Sequence, residues 1–112
     1  MIRMFGPCNP RHVYGGPDLQ RLPENPFCIA ASHLADALKA YETHFSVSIE
    51  PWRELLPGQT EYKYFNVVSA KPREGGLVDI HVFRGEEEIC PRQDVGFALM
   101  EGDIVEMGTL VC

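Results

Sequence analysis

The 112-residue chain has no apolar stretch long enough to cross a bilayer, and its first residues lack the charged segment followed by an apolar one that marks a secretory signal. A soluble chain that bypasses general export, with no membrane partner, is the expectation. Positive charge is also short. Ten Lys and Arg stand against sixteen Asp and Glu, a formal charge of −6, whereas a surface built to neutralise phosphates needs a basic stripe. Nucleic acid is therefore not an expected partner. Close cysteine pairs are missing too. Cys8, Cys28, Cys90 and Cys112 lie far apart with no C-x₂-C spacing, so they do not spell a structural zinc site. They are expected to be reduced thiols, with Cys28 and Cys112 on strand-like segments serving as small apolar residues. Convergence of the four on zinc or an iron–sulfur cluster is the alternative.

Catalytic signatures are scarce as well. The glycines of "VYGGPD" and "REGGL" do not follow a phosphate-cradle spacing, and they read as turns. There is no G-x-S-x-G, and no serine or cysteine has a recognisable base nearby in sequence. His33 and His44 are eleven residues apart on one expected helix, about three turns, and cannot share a metal. His12 lies in a loop and His81 in a strand, and none of the four has a carboxylate or cysteine at ligand spacing. Glu86, Glu87 and Glu88 read as a solvated turn. No catalytic residue, metal or cofactor is expected, and the chain is read as a non-enzyme.

What the chain does have is apolar content, 45% of its residues, enough for one core in one domain spanning 1–112. Internal repeats and linkers are absent from the sequence. "MIRMFG" alternates as a short strand, with Ile2 and Met4 on one face and Arg3 and Phe5 on the other. The breakers from Pro7 to Pro26 predict a long surface loop. "FCIAAS" (Phe27 to Ser32) predicts a second strand, with Ser32 as N-cap of an amphipathic helix. That helix sets Leu34, Ala37, Leu38, Tyr41 and Phe45 on one face and Lys39, Glu42 and Thr43 on the other.

"SIEPWRELLPG" reads as a short helical turn ended by Pro57-Gly58. "EYKYFNVVSA" and "GLVDIHVFRG" are expected to be antiparallel partners joined near Gly75-Gly76. Gly85 marks a turn, and Glu101-Gly102-Asp103 leads into a last strand, Ile104 to Val111. Trp52, next to Pro51, reads as a residue closing the end of the core or as an exposed anchor. The layout is α+β: an N-terminal hairpin, one helix crossing back over a sheet, and the closing strand at the centre.

Several of these segments resemble ubiquitin-like β-grasp proteins of the sulfur-carrier type. "ASHLADALKAYETHF" is similar to their helix entry, "MIRMFG" to their first strand, and "IHVFRGEEEI…ALMEGDIVEMGTLV" to their closing half. "VFRGEEEI", together with the residues after it in the chain, also resembles phage tail assembly protein I of the lambda type. The resemblance implies a β-grasp fold, a mixed sheet with one main helix on one face, carrying a long N-terminal loop (7–26) and an insertion at 59–76. Sulfur carriers end in Gly-Gly, where this sequence has Val111 and Cys112, which turns the resemblance toward the tail proteins. Those imply a non-catalytic protein–protein interaction module of a tail tip or baseplate, in the virion or in host cytoplasm during assembly, with tail hub or baseplate subunits as partners. Binding is then assigned to Arg11, His12, Tyr14, Leu19 and Leu22 in the loop, to Trp52, and to Arg73 in the hairpin at 71–76. The alternatives are a sulfur-carrier or conjugation protein lacking Gly-Gly, a metal or cluster protein built on the four cysteines, and a phage-encoded inhibitor of a host protein.

Overall fold

The amphipathic stripe between Leu34 and Phe45 forms helix α1 (Leu34–Phe45), with Leu34, Ala37, Leu38 and Tyr41 buried along one face. The computed structural model describes residues 1–10, 12–15, 18–21, 25–55, 57–58, 60, 62–70 and 76–109, and for 12–15, 18–21 and 109 it describes the backbone. In chain order its strands are β1 (Ile2–Phe5), β2 (His12–Gly15), β3 (Asp18–Arg21), β4 (Phe27–Ile29), β5 (Val47–Pro51), β6 (Tyr64–Ser69), β7 (Gly76–Arg84), β8 (Glu87–Ile89) and β9 (Ile104–Thr109). The fold is α+β.

The main sheet runs β4-β1-β9-β7-β6-β5, with β8 also paired to β7. One pair, β1 with β9, is parallel, and the other pairs are antiparallel. The closing strand thus sits in the interior of the sheet, between the first strand and β7. A parallel pair cannot be joined by a tight turn, and here the helix and the later strands supply the long connection. Ile2 and Met4 on β1, Val78, Ile80 and Val82 on β7, and Val105 and Met107 on β9 alternate onto the helix side and meet its buried face. Each fully buried side chain of this size stabilises by roughly 2 kcal/mol, so the helix-facing layer dominates the stability.

Four local expectations need correction. The stretch expected to be a featureless loop from Pro7 to Pro26 contains the antiparallel pair β2–β3, in register from His12↔Arg21 to Gly15↔Asp18. The breakers therefore bound a hairpin. Ser32 is not the N-cap. His33 holds that position without a side-chain hydrogen bond, because the first helical amides are taken by loop carbonyls: Leu34 N–H donates to Phe97 O at 2.9 Å and Ala35 N–H to Val95 O at 2.8 Å. The residues "VSIEP" form strand β5, paired with β6, where a helical turn was expected. Ser46, in the left-handed conformation at φ 56°, ends α1 and lets β5 start at the next residue. Pro51 is tolerated because β5 is an edge strand. Finally, β4 ends at Ile29, short of Ser32.

Candidate functional site

The β2–β3 hairpin stands apart from the main sheet. It forms a two-stranded sheet of its own, inserted between β1 and β4, and the chain enters and leaves it through a polar clasp. Asn9, only 4% exposed, donates from Nδ2 to Met4 O and to Asn25 O, both at 2.9 Å. Its Oδ1 accepts from Gly6 N–H at 3.0 Å and from the Tyr41 hydroxyl at 2.8 Å. The Tyr41 oxygen in turn accepts the Cys8 N–H at 3.1 Å. Burial pushes the Tyr41 phenol well above its usual range, so it stays a neutral donor. One buried amide side chain thereby ties residues 4, 6 and 25 and the helix together, with its polar atoms satisfied. Asn9 and Asn25, on either side of the insertion, are thereby joined.

On the sheet face away from α1, Asp79 and His81 of β7 lie two residues apart and point the same way. His81 Nε2 is 3.1 Å from Asp79 Oδ2, and Nδ1 is 2.8 Å from Glu88 Oε1 on β8. The Glu88 oxygen approaches without hydrogen-bond alignment, since Nδ1 has no aligned partner. It is an ion contact, and Glu88 is largely exposed. Glu106 of β9 stands opposite His81 in the ladder. A neutral imidazole has one N–H, so only the protonated ring can serve both flanking carboxylates. These neighbours are not at ligand spacing after His81 in the sequence; what brings them together is "DIH", alternate residues on one strand face, plus a tight turn at Gly85 that folds the glutamates back along β7.

A second polar anchor joins β7 to the turn before β9. Arg84 donates from Nε to Asp103 Oδ1 at 3.1 Å and from an Nη to Oδ2 at 2.9 Å, a two-pronged pair, and also to Ala98 O. Asp103 is 1% exposed and also accepts the Met100 N–H at 2.8 Å. Burial alone would raise its carboxyl, but the Arg84 and Met100 hydrogen bonds and the Arg84 charge outweigh burial and hold it below the usual carboxylate range. The "L-x-x-G-D" turn is thus a structural device.

Of the residues assigned to partner binding, His12 and Tyr14 lie on β2 and Leu19 on β3, where the backbone is described. Arg11, Leu22 and Arg73 lie outside the described residues. Trp52 is half-buried: its carbonyl and that of Tyr64 accept both Gln93 amide hydrogens at 2.8 Å, and its Nε1 is buried without a hydrogen-bond partner among the described residues. The structure does not bring Trp52 onto the hairpin's strands, which form a separate sheet.

Cys112 lies outside the described residues, while Cys8, Cys28 and Cys90 lie on three different segments and are not joined to one another by a disulfide. Cys28 is exposed, against the expectation of a buried small apolar residue. Its neighbours Phe27 and Ile29 take the inward positions of β4. Among the described residues no group of three or more His, Cys, Asp or Glu side chains is placed to hold a metal ion. No described helix is long and apolar enough to cross a membrane.

No family model, curated protein or solved structure matches the chain.

Proposed function

We propose that the chain is a β-grasp protein–protein interaction module without a catalytic step, serving as an assembly component of a phage tail tip. The observation that carries the reading is the separate β2–β3 sheet, inserted between two strands of the main sheet and entered and left beside the Asn9–Asn25 clasp. Loops and small hairpins held by a rigid scaffold are where binding residues concentrate. Support for the β-grasp form comes from the order of elements: an antiparallel first pair, a helix, and a last strand that returns parallel to the first inside the sheet. The tail assignment rests on the resemblance of "VFRGEEEI" and the closing half, which here form the β7–β8 turn and the Arg84–Asp103 anchor into β9. Partners are then other subunits of the tail hub or baseplate.

A photo-crosslinking amino acid at position 13 or 20, incorporated in the cells that naturally produce the protein, tests this. Adducts with structural subunits of a tail assembly are the expected result. Adducts that require ATP and contain an activating enzyme would instead make the protein a carrier. Adducts formed only from position 68, on the exposed side of β6, would remove the hairpin as the interface.

A further inference from the structure

We propose that Asp79, His81 and Glu88 form a proton-dependent latch: the protonated His81 ring holds strand β8 against β7, and loss of its proton lets β8 open. The latch is independent of the hairpin's role. The groups that face the ring come from each strand beside it. Asp79 shares its strand, Glu88 stands on β8, and Glu106 stands opposite it on β9. Farther out on the same face, Tyr64 of β6 is paired with Asp79, Arg3 of β1 stands opposite Ile104 of β9, and Cys90 follows β8 in the chain. Helix α1 packs on the opposite face, against Ile80 and Val82.

A neutral ring does not fit between both carboxylates. Nε2 is 3.1 Å from Asp79 Oδ2, and Nδ1 is 2.8 Å from Glu88 Oε1. A neutral imidazole carries one N–H, so either tautomer turns a lone pair onto a carboxylate oxygen at its other end, and the two repel. One carboxylate then has to leave, and exposure decides which. The Asp79 side chain is 18% exposed and shares the strand of the ring, and its Oδ1 is buried without a hydrogen-bond partner among the described residues. The Glu88 side chain is 57% exposed, on a strand of three residues that pairs with β7 alone among the described strands. Glu88 regains water by leaving, whereas Asp79 has less to regain. The moving element is therefore β8, joined to β7 by the turn at Gly85.

The sign follows from the charges. The latch is closed on the acid side of the range in which histidine changes charge, about pH 5–8, and opens as pH rises through it. Below about pH 4 the carboxylates take up protons and it fades again. Opening of a short strand is read by amide hydrogen exchange. After correction for the intrinsic rate at each pH, the β8 amides of the full chain are expected to gain roughly two- to fivefold in protection from about pH 8 to about pH 5, the scale of a partly exposed ion pair. The amides of the interior strand β9 should not follow. Glu88→Gln keeps the size and removes the charge, and it should abolish the gain, as should His81→Gln. Protection of β8 that ignores pH, a gain shared equally by β9, or a gain kept in Glu88→Gln would overturn the proposal. Should His81→Gln unfold, Glu88→Gln, a change at an exposed side chain, decides.

Discussion

Gly6→Ala is expected to destabilise the protein by about 2–3 kcal/mol, read as a fall in denaturant midpoint at unchanged slope. The reason is space and not backbone conformation. A Cβ at position 6 would lie 2.6 Å from the Tyr41 hydroxyl oxygen, 2.9 Å from its ring carbon and 2.8 Å from the Met107 methyl. Met107 is flexible and can yield. Tyr41 cannot, since its ring is buried and its oxygen is fixed between the Asn9 side chain and the Cys8 amide. Moving it breaks both bonds and leaves buried polar groups unpaired. The hairpin base would loosen at the same time. A Gly6→Ala protein as stable as the parent would mean that the clasp is not rigid.

Removing the Asp103 carboxylate is the second large effect. Asp103→Ala strips Arg84 of two hydrogen bonds and leaves the Met100 amide without its acceptor. Breaking a fully buried pair costs about 3–5 kcal/mol, but Arg84 is 29% exposed and can recover water. The expected loss is on the order of 2 kcal/mol. Asp103→Asn adds a pH signature. The folded-state pKa of Asp103 is depressed, so its contribution is present above the unfolded-state value, about 4, and disappears as pH falls through the lower folded value. The stability gap between parent and Asp103→Asn should therefore be widest near neutral pH and narrow in acid. A gap constant with pH would show that the ionised form is not what stabilises the turn.

The helix and the faces of the long strands were legible because their signals are periodic. Leu34, Ala37, Leu38 and Tyr41 repeat at helical spacing, and the alternation through "LVDIHVF" gives the faces of β7. What was misread depends on contacts distant in sequence. Ser32 is a fair cap by composition, yet carbonyls some sixty residues away, on Val95 and Phe97, take the helix amides and make a side-chain cap unnecessary. The prolines in "SIEPWRELLPG" made a helical turn the natural reading, but the edge position of β5 removes the penalty of Pro51 in a strand. The Pro and Gly density of 7–26 hid a hairpin because the strands β2 and β3 have only four residues each. At the candidate site, Asn9 gave no signal at all: a single asparagine in a turn-rich stretch becomes central only when Tyr41 and Asn25 meet it. The His81 neighbours were partly readable from the strand alternation and the Gly85 turn.

The clasp also fixes how the hairpin can be removed. A cut that takes Asn9 would unfasten β1 from the helix, whereas Asn9 and Asn25 are already held together at 2.9 Å, so a short glycine bridge can replace residues 11–24. That deletion, followed in parallel by thermal unfolding and by native mass spectrometry of complexes from the producing cells, tests the claim that a self-sufficient core carries a binding hairpin. A cooperative transition close to the parent's, with loss of the partner subunits from the complex, is the expected result. A chain that no longer folds, or one that folds and still enters the same assembly, would contradict it.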